Sequence, residues 1–199
     1  MDNGTVEREE LSCADGMVWS PAESDFPNRN AETSYMGGWF WRAGEDAAVL
    51  PAKHLFDCYL TSVGRNTNML MGMVIDTNGR FPDADTREFE KAGEMIRRVF
   101  GSPLSVDADG KHSVKLRDDE NRSAGYVSIG EDITNGERVQ AYTARGYNAG
   151  GKEIFIHHGK VIGHKRILPL PDGVVRVDLE VHRSRAEPMI KFMDLYPGE

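Results

Sequence analysis

The run Met69-Leu70-Met71-Gly72-Met73-Val74-Ile75 limits the fold more than any other stretch, because it has no polar side chain to turn toward water. A half-solvated strand alternates apolar and polar residues. This run instead fits a strand covered on both faces, as in a parallel sheet. Upstream, Pro51 opens a segment in which Leu55, Cys58, Tyr59 and Val63 keep helical spacing, and Gly64 supplies the stop. Downstream, after the turn-forming Asp76-Thr77-Asn78-Gly79, a second helix is predicted over 85–100. Asp85 and Glu88 read as its capping pair, Phe89, Ala92, Ile96 and Val99 as its apolar face, and Arg97 and Arg98 suit the negative end of its dipole. Gly101 and Pro103 end it. Met17 to Trp19 reads as another short strand that delivers Glu23, and Phe26 to Met36 as an irregular loop. Strand, helix, strand, helix is the order of an α/β unit.

This unit does not look self-sufficient. Six large apolar residues in the run each stabilise by roughly 1.5–3 kcal/mol when buried. Two helices and one short strand cannot cover both faces of it. About 10 kcal/mol of burial is left unclaimed, comparable to the whole net stability of a domain. Partner strands outside the 199 residues are therefore expected.

Near residue 103 the period changes. Val175, Val177, Leu179 and Val181 alternate with Arg176, Asp178, Glu180 and His182, the pattern of a half-buried antiparallel strand. Shorter runs of the same kind lie at 113–116, 126–129, 139–144, 154–156, 161–162, 167–170 and 190–195, with Asn135-Gly136, Ala149-Gly150-Gly151 and Pro171-Asp172-Gly173 between them. So many short strands predict a β-sandwich. The chain thus divides into an α/β part over 1–102 and an all-β part over 103–199.

The formal net charge of −8 argues against a nucleic-acid partner, and Arg97-Arg98 and Lys165-Arg166 are isolated pairs rather than a basic stripe. Two cysteines, Cys13 and Cys58, make neither a disulfide framework nor a metal motif. No metal site is expected: Lys111 stands where a calcium loop starting at Asp107 needs an oxygen. No apolar run is long enough to cross a membrane, and no export signal pattern follows Met1, which leaves the compartment open.

Functional chemistry concentrates early. Val18-Trp19-Ser20-Pro21-Ala22-Glu23 presents a carboxylate beside an aromatic, and Gly37-Gly38-Trp39-Phe40-Trp41 follows. All three tryptophans, Trp19, Trp39 and Trp41, fall within 23 residues. Carboxylates beside aromatic faces are what a sugar site needs.

Five blocks carry a family resemblance: Trp19-Ser20-Pro21-Ala22-Glu23-Ser24-Asp25, Gly38-Trp39-Phe40, Ser62-Val63-Gly64-Arg65-Asn66, Ile133-Thr134-Asn135-Gly136-Glu137-Arg138-Val139, and Ile162-Gly163-His164-Lys165-Arg166-Ile167. Their order and spacing resemble α-L-fucosidases of glycoside hydrolase family 29. The resemblance implies the C-terminal portion of a (β/α) TIM-like barrel followed by an antiparallel β-sandwich. It implies hydrolysis of terminal α-L-fucose from glycans with retention, through a covalent glycosyl-enzyme, with no cofactor and no metal. Glu23 matches the acid/base, with Glu32 as rival, and Trp39 matches the aromatic lying against the C6 methyl of fucose. Trp41 and Trp19 shape the walls. The implied partners are a fucosylated oligosaccharide and the missing N-terminal barrel half, in cis or as a separate chain. That half would hold the Asp nucleophile, so the 199-residue chain alone is expected to be inactive. His157-His158 cannot replace the family's sugar-holding histidines, because neighbours in a strand point to opposite faces. A reading from another class is a non-catalytic carbohydrate-binding or scaffolding sandwich; against it, 103–199 contains no tryptophan.

Overall fold

A computed structural model describes residues 22–107, 112–117 and 123–199. The expected strand at Met17 to Trp19 and Trp19 itself therefore lie outside the described residues. The described strand comes later: β1 is Glu23–Pro27, and its last two residues fall in what the sequence suggested was a loop. Nothing in Glu-Ser-Asp-Phe-Pro has strand periodicity. It becomes a strand because it pairs in parallel with β2, Asn68–Gly72, from Glu23 opposite Asn68 to Pro27 opposite Gly72. Helix α1 spans Ala52–Thr61 and helix α2 spans Asp83–Phe100, each entered through a proline in extended conformation.

The helices cover one face of this pair of strands. Phe26 and its partner Met71 point to them, packing on Ala52, Leu55 and Ala92. The other face is open, so the expected two-sided cover is absent among the described residues. Leu70 is 52% exposed and Ile75, past the strand end, 56% exposed. The helix prediction also missed Phe56, which is fully buried, while Cys58 is half-buried with its thiol pushed up by burial.

The rest of the described chain is antiparallel. Strands β3 (Ser105–Asp107), β4 (Ser113–Leu116), β9 (Arg176–Ser184), β6 (Val139–Tyr147) and β7 (Glu153–Gly159) form one sheet in that spatial order. Strands β10 (Ile190–Tyr196), β5 (Tyr126–Glu131) and β8 (Arg166–Pro169) form the other. Val127, Ile129 and Leu195 of the smaller sheet and Val114, Tyr142 and Val177 of the larger share one core, giving the expected sandwich. Val161 and Ile162 belong to no strand; Ile162 is buried in the turn before β8.

Two features join the helices to the sandwich. Phe100, the last residue of α2, lies among four rings: Tyr196 at 5.2 Å, Tyr126 at 5.4 Å, Tyr59 at 5.8 Å and Phe56 at 6.2 Å between centroids. Beside them, three of the five resemblance blocks meet. Asn66 donates to Glu137 at 2.7 Å and accepts the His164 N–H at 2.7 Å, and the Ile167 N–H donates to the Gly64 carbonyl at 2.8 Å. Buried Glu131 sits behind this joint, accepting the N–H groups of Arg138, Val139 and Gly163.

Candidate functional site

Parallel strands of α/β sheets offer their C-terminal ends to ligands. Here those ends are Pro27 and Gly72, and the loop of residues 30–48 rises above them. Its neck is tied by the Asn30 N–H to Ala48 O at 2.8 Å, the Leu50 N–H to Asn28 O at 2.9 Å, and a bridge between Arg29 and Val49. The Asn28 N–H donates to Gly72 O at 3.0 Å, extending the pairing of β1 with β2 by one residue.

Under the neck lies an ion pair that the sequence did not reveal. Arg29 Nε and Nη2 donate to Asp85 Oδ1 and Oδ2 at 3.1 and 2.6 Å, and Asn28 Nδ2 donates to Oδ1 at 2.5 Å. Asn28, Arg29 and Asp85 are all fully buried. Asp85 is therefore not the cap of α2, which already begins at Asp83; its two carboxylate oxygens are taken up by the bidentate bond to Arg29 and by the Asn28 amide. Its expected partner Glu88 instead accepts the Ala52 N–H at 2.8 Å and pairs with Lys91, which lowers its pKa. Only tertiary structure brings residues 29 and 85 together, so no local pattern could have signalled the pair.

The loop displays aromatic surface. Trp39 is 43% and Phe40 58% exposed, with Tyr35 and Met36 exposed beside them, while Trp41 is half-buried. The Trp39 ring lies flush on Gly72: a Cβ there would come within 2.5 Å of Trp39 Cζ3. Gly38 is equally confined, since a Cβ on it would sit 2.7 Å from Arg29 O, at a φ of +83°. Glu45 braces the loop from within. Its carboxylate accepts the Tyr35 N–H at 3.0 Å and Arg42 Nε at 2.7 Å, and the Tyr35 bond, then Arg42, hold its pKa below the usual glutamate value.

The two candidate acids fall at different places. Glu23 is exposed at the first residue of β1, opposite Asn68, whereas Trp39 covers the last pair of the two strands. Four residues of strand separate the two levels by roughly 13 Å. Glu32 is exposed on the loop itself, its N–H donating to Asn30 Oδ1 at 2.9 Å, at the same end of the strands as Trp39. Asp76, after β2, accepts the Asn78 and Arg80 N–H groups and so caps its own turn. Among the described residues, no group of three His, Cys, Asp or Glu side chains is placed to hold a metal ion. His157 and His158 diverge as expected, His157 toward the Tyr142 ring and His158 onto Thr143. A cavity of about 490 Å³ lies elsewhere, between β4 and β10 of the sandwich.

No family model matches the sequence. The α-L-fucosidase 1 of Arabidopsis thaliana is 26% identical over 91% of this chain and 41% of its own length. A Bacteroides thetaiotaomicron protein assigned as an α-L-fucosidase has a crystal structure that superposes with a TM-score of 0.82, at 31% identity, over 93% of this chain and 42% of its own. A glycoside hydrolase family 29 member from a rumen bacterium matches at a TM-score of 0.80 and 25% identity, over 99% of this chain and 37% of its own. The chain is similar to family 29 α-L-fucosidases. It spans about two fifths of the length of these fucosidase relatives, and the likeness runs through both the helical part and the sandwich.

Proposed function

We propose that the 199 residues supply part of a retaining glycoside hydrolase that removes terminal α-L-fucose from glycans. The observation that supports this best is the aromatic loop at the C-terminal ends of two parallel strands, where Trp39 offers a flat apolar face to the C6 methyl of fucose. In this reading β1, α1, β2 and α2 are a portion of a (β/α) barrel over 1–102, 103–199 is the sandwich, and further barrel strands cover the open face of β2. The aspartate nucleophile comes from that further part, in cis or on a separate chain. It attacks the anomeric carbon while a glutamate of this chain protonates the departing oxygen. The same glutamate then takes a proton from the water that cleaves the glycosyl-enzyme. Motif likeness favours Glu23 for this role; position at the end of the strands that Trp39 covers favours Glu32. The chain alone is inactive, because a retaining site needs two carboxyl groups about 5 Å apart.

The test is an aryl α-L-fucoside assay on the 199 residues and on the full reading frame that contains them. Turnover with retained configuration is expected only from the longer product, and Glu23→Gln and Glu32→Gln identify the acid by which one azide rescues. Turnover by the short chain defeats the proposal, and so does its absence both from the longer product and from the short chain mixed with a separately encoded barrel part.

A second reading is that the sandwich binds sugar without chemistry; the cavity between β4 and β10, with Met189 and Phe192 in its wall, favours it. Calorimetric binding of fucosylated oligosaccharides by this chain, lost in Phe192→Ala and kept in Trp39→Ala, would select that reading.

A further inference from the structure

We infer that the buried Arg29–Asp85 pair is a positioning device for Trp39, an inference that rests on reading Trp39 as the sugar-facing wall. Besides an Nη2 that lies 3.8 Å from the exposed Asp46 carboxylate, Arg29 touches the loop at three separated points. Its backbone bridges Val49 at the exit, its carbonyl is the surface against which Gly38 lies, and its Nη1 donates to Glu45 O at 3.3 Å. Asp85, in the first turn of α2, takes the Nε–Nη2 edge of the guanidinium and the Asn28 amide, so the loop's base is fixed to a helix rather than to the strands alone.

The chain then leaves Gly38 with Trp39 directed over Gly72, the residue whose carbonyl receives the Asn28 N–H. Trp39 is held between two references, the Arg29 carbonyl against the preceding Gly38 and the Gly72 backbone beneath the ring. A buried ion pair adds little stability over apolar side chains of the same volume. What it adds here is direction: a planar fork engages a carboxylate in one orientation, which neither lysine nor a packed leucine reproduces. Arg29 and Asp85 thus set the tilt and height of the aromatic wall without touching substrate, and the Asn28 amide completes the clamp.

The experiment uses the full chain carrying Trp19→Phe and Trp41→Phe, so that Trp39 alone fluoresces. Arg29→Lys and Asp85→Asn are compared with Gly72→Ala, a control whose added Cβ pushes the ring from its seat. In a charge variant with native far-UV circular dichroism, acrylamide quenching of Trp39 is expected to rise about twofold, because a lysine or an amide cannot make the bidentate bond. Unchanged quenching in a folded Arg29→Lys or Asp85→Asn protein overturns the inference. Should neither fold, Gly38→Ala decides. It strains the contact with Arg29 O while leaving the ion pair intact, and unchanged Trp39 quenching there overturns the inference equally. Absence of fucoside turnover once the further barrel part is supplied would count against the enzymatic reading and leave this spectroscopic result standing.

Discussion

The Asn66 side chain spans the seam between helices and sandwich, donating to Glu137 and accepting from His164, both at 2.7 Å. Its own φ is +64°, and the facing Gly163 has a φ of +65° with no room for a Cβ beside the Asn66 amide. Asn66→Ala is expected to cost about 1–3 kcal/mol, the range for partly buried polar groups left without their hydrogen-bond partner. Gly163→Ala should cost at least as much, because it adds left-handed strain to the clash. Urea denaturation measures both; a change under about 0.5 kcal/mol, the scatter of an ordinary surface substitution, would show that this joint does not hold the fold together.

Asp85→Ala removes the buried partner of the Arg29 guanidinium and leaves it only the exposed Asp46 carboxylate at 3.8 Å; breaking a buried pair in this way typically costs about 3–5 kcal/mol. The neighbouring Asp83→Ala, on the exposed first turn, should stay within about 0.5 kcal/mol. Equal losses in the two variants would show that the buried pair has no special weight.

Glu131 answers three backbone N–H groups at 2.9–3.1 Å while only 2% exposed. Removing it in Glu131→Ala strands two buried donors and one part-buried one, the buried ones at about 1–3 kcal/mol each before any water enters. Glu131→Gln keeps an acceptor oxygen and is expected to lose distinctly less. Hydrogen exchange at Val139 and Gly163 localises the effect, since both amides should exchange faster in the alanine variant.

His157 titrates below the ordinary value of 6.5, first because it is partly buried, then because Arg166 and His158 add positive charge nearby. The folded state therefore resists its protonation more than the unfolded chain does. Its contribution to stability is present above pH 6.5 and is lost as the pH falls through the folded pKa. An imidazole titration by NMR should find His157 below 6.5, and His157→Gln should flatten the stability profile just below that pH. A midpoint at or above 6.5 contradicts the assignment.

Leu70, Ile75 and Phe81 are each more than half exposed. Apolar surface of this kind attracts partners of its own character. The 199-residue chain is expected to bind an apolar dye and self-associate, and Leu70→Ser with Ile75→Ser to reduce both, as followed by light scattering. A monomer indifferent to these substitutions would remove the need for a covering partner.

Periodicity located most of the elements. Alternation over 175–181 lies within β9 from Arg176 on, and the apolar stripe Ala92, Ile96, Val99 lies within α2. These patterns are legible because burial of one face imposes a repeat of two on strands and 3.6 on helices. β1 escaped, since Glu23–Pro27 has no repeat of its own and is a strand only through its ladder to β2. Asp85 was misread for a related reason: a carboxylate near a helix start has the same local signature whether it caps the helix or meets a guanidinium 56 residues away. The aromatic cluster was visible as Trp39-Phe40-Trp41, but its seat on Gly72 was not.

By itself the sequence determined which segments can bury an apolar face, and hence the succession of strand, helix and sandwich, because those preferences act through neighbours along the chain. Tertiary structure alone decided that Arg29 meets Asp85, that Asn66 meets Glu137, and that Trp39 and Glu32 share one end of the strands while Glu23 takes the other. Such pairings depend on where distant segments are brought together, and a charge or an amide carries no record of its partner in the residues beside it.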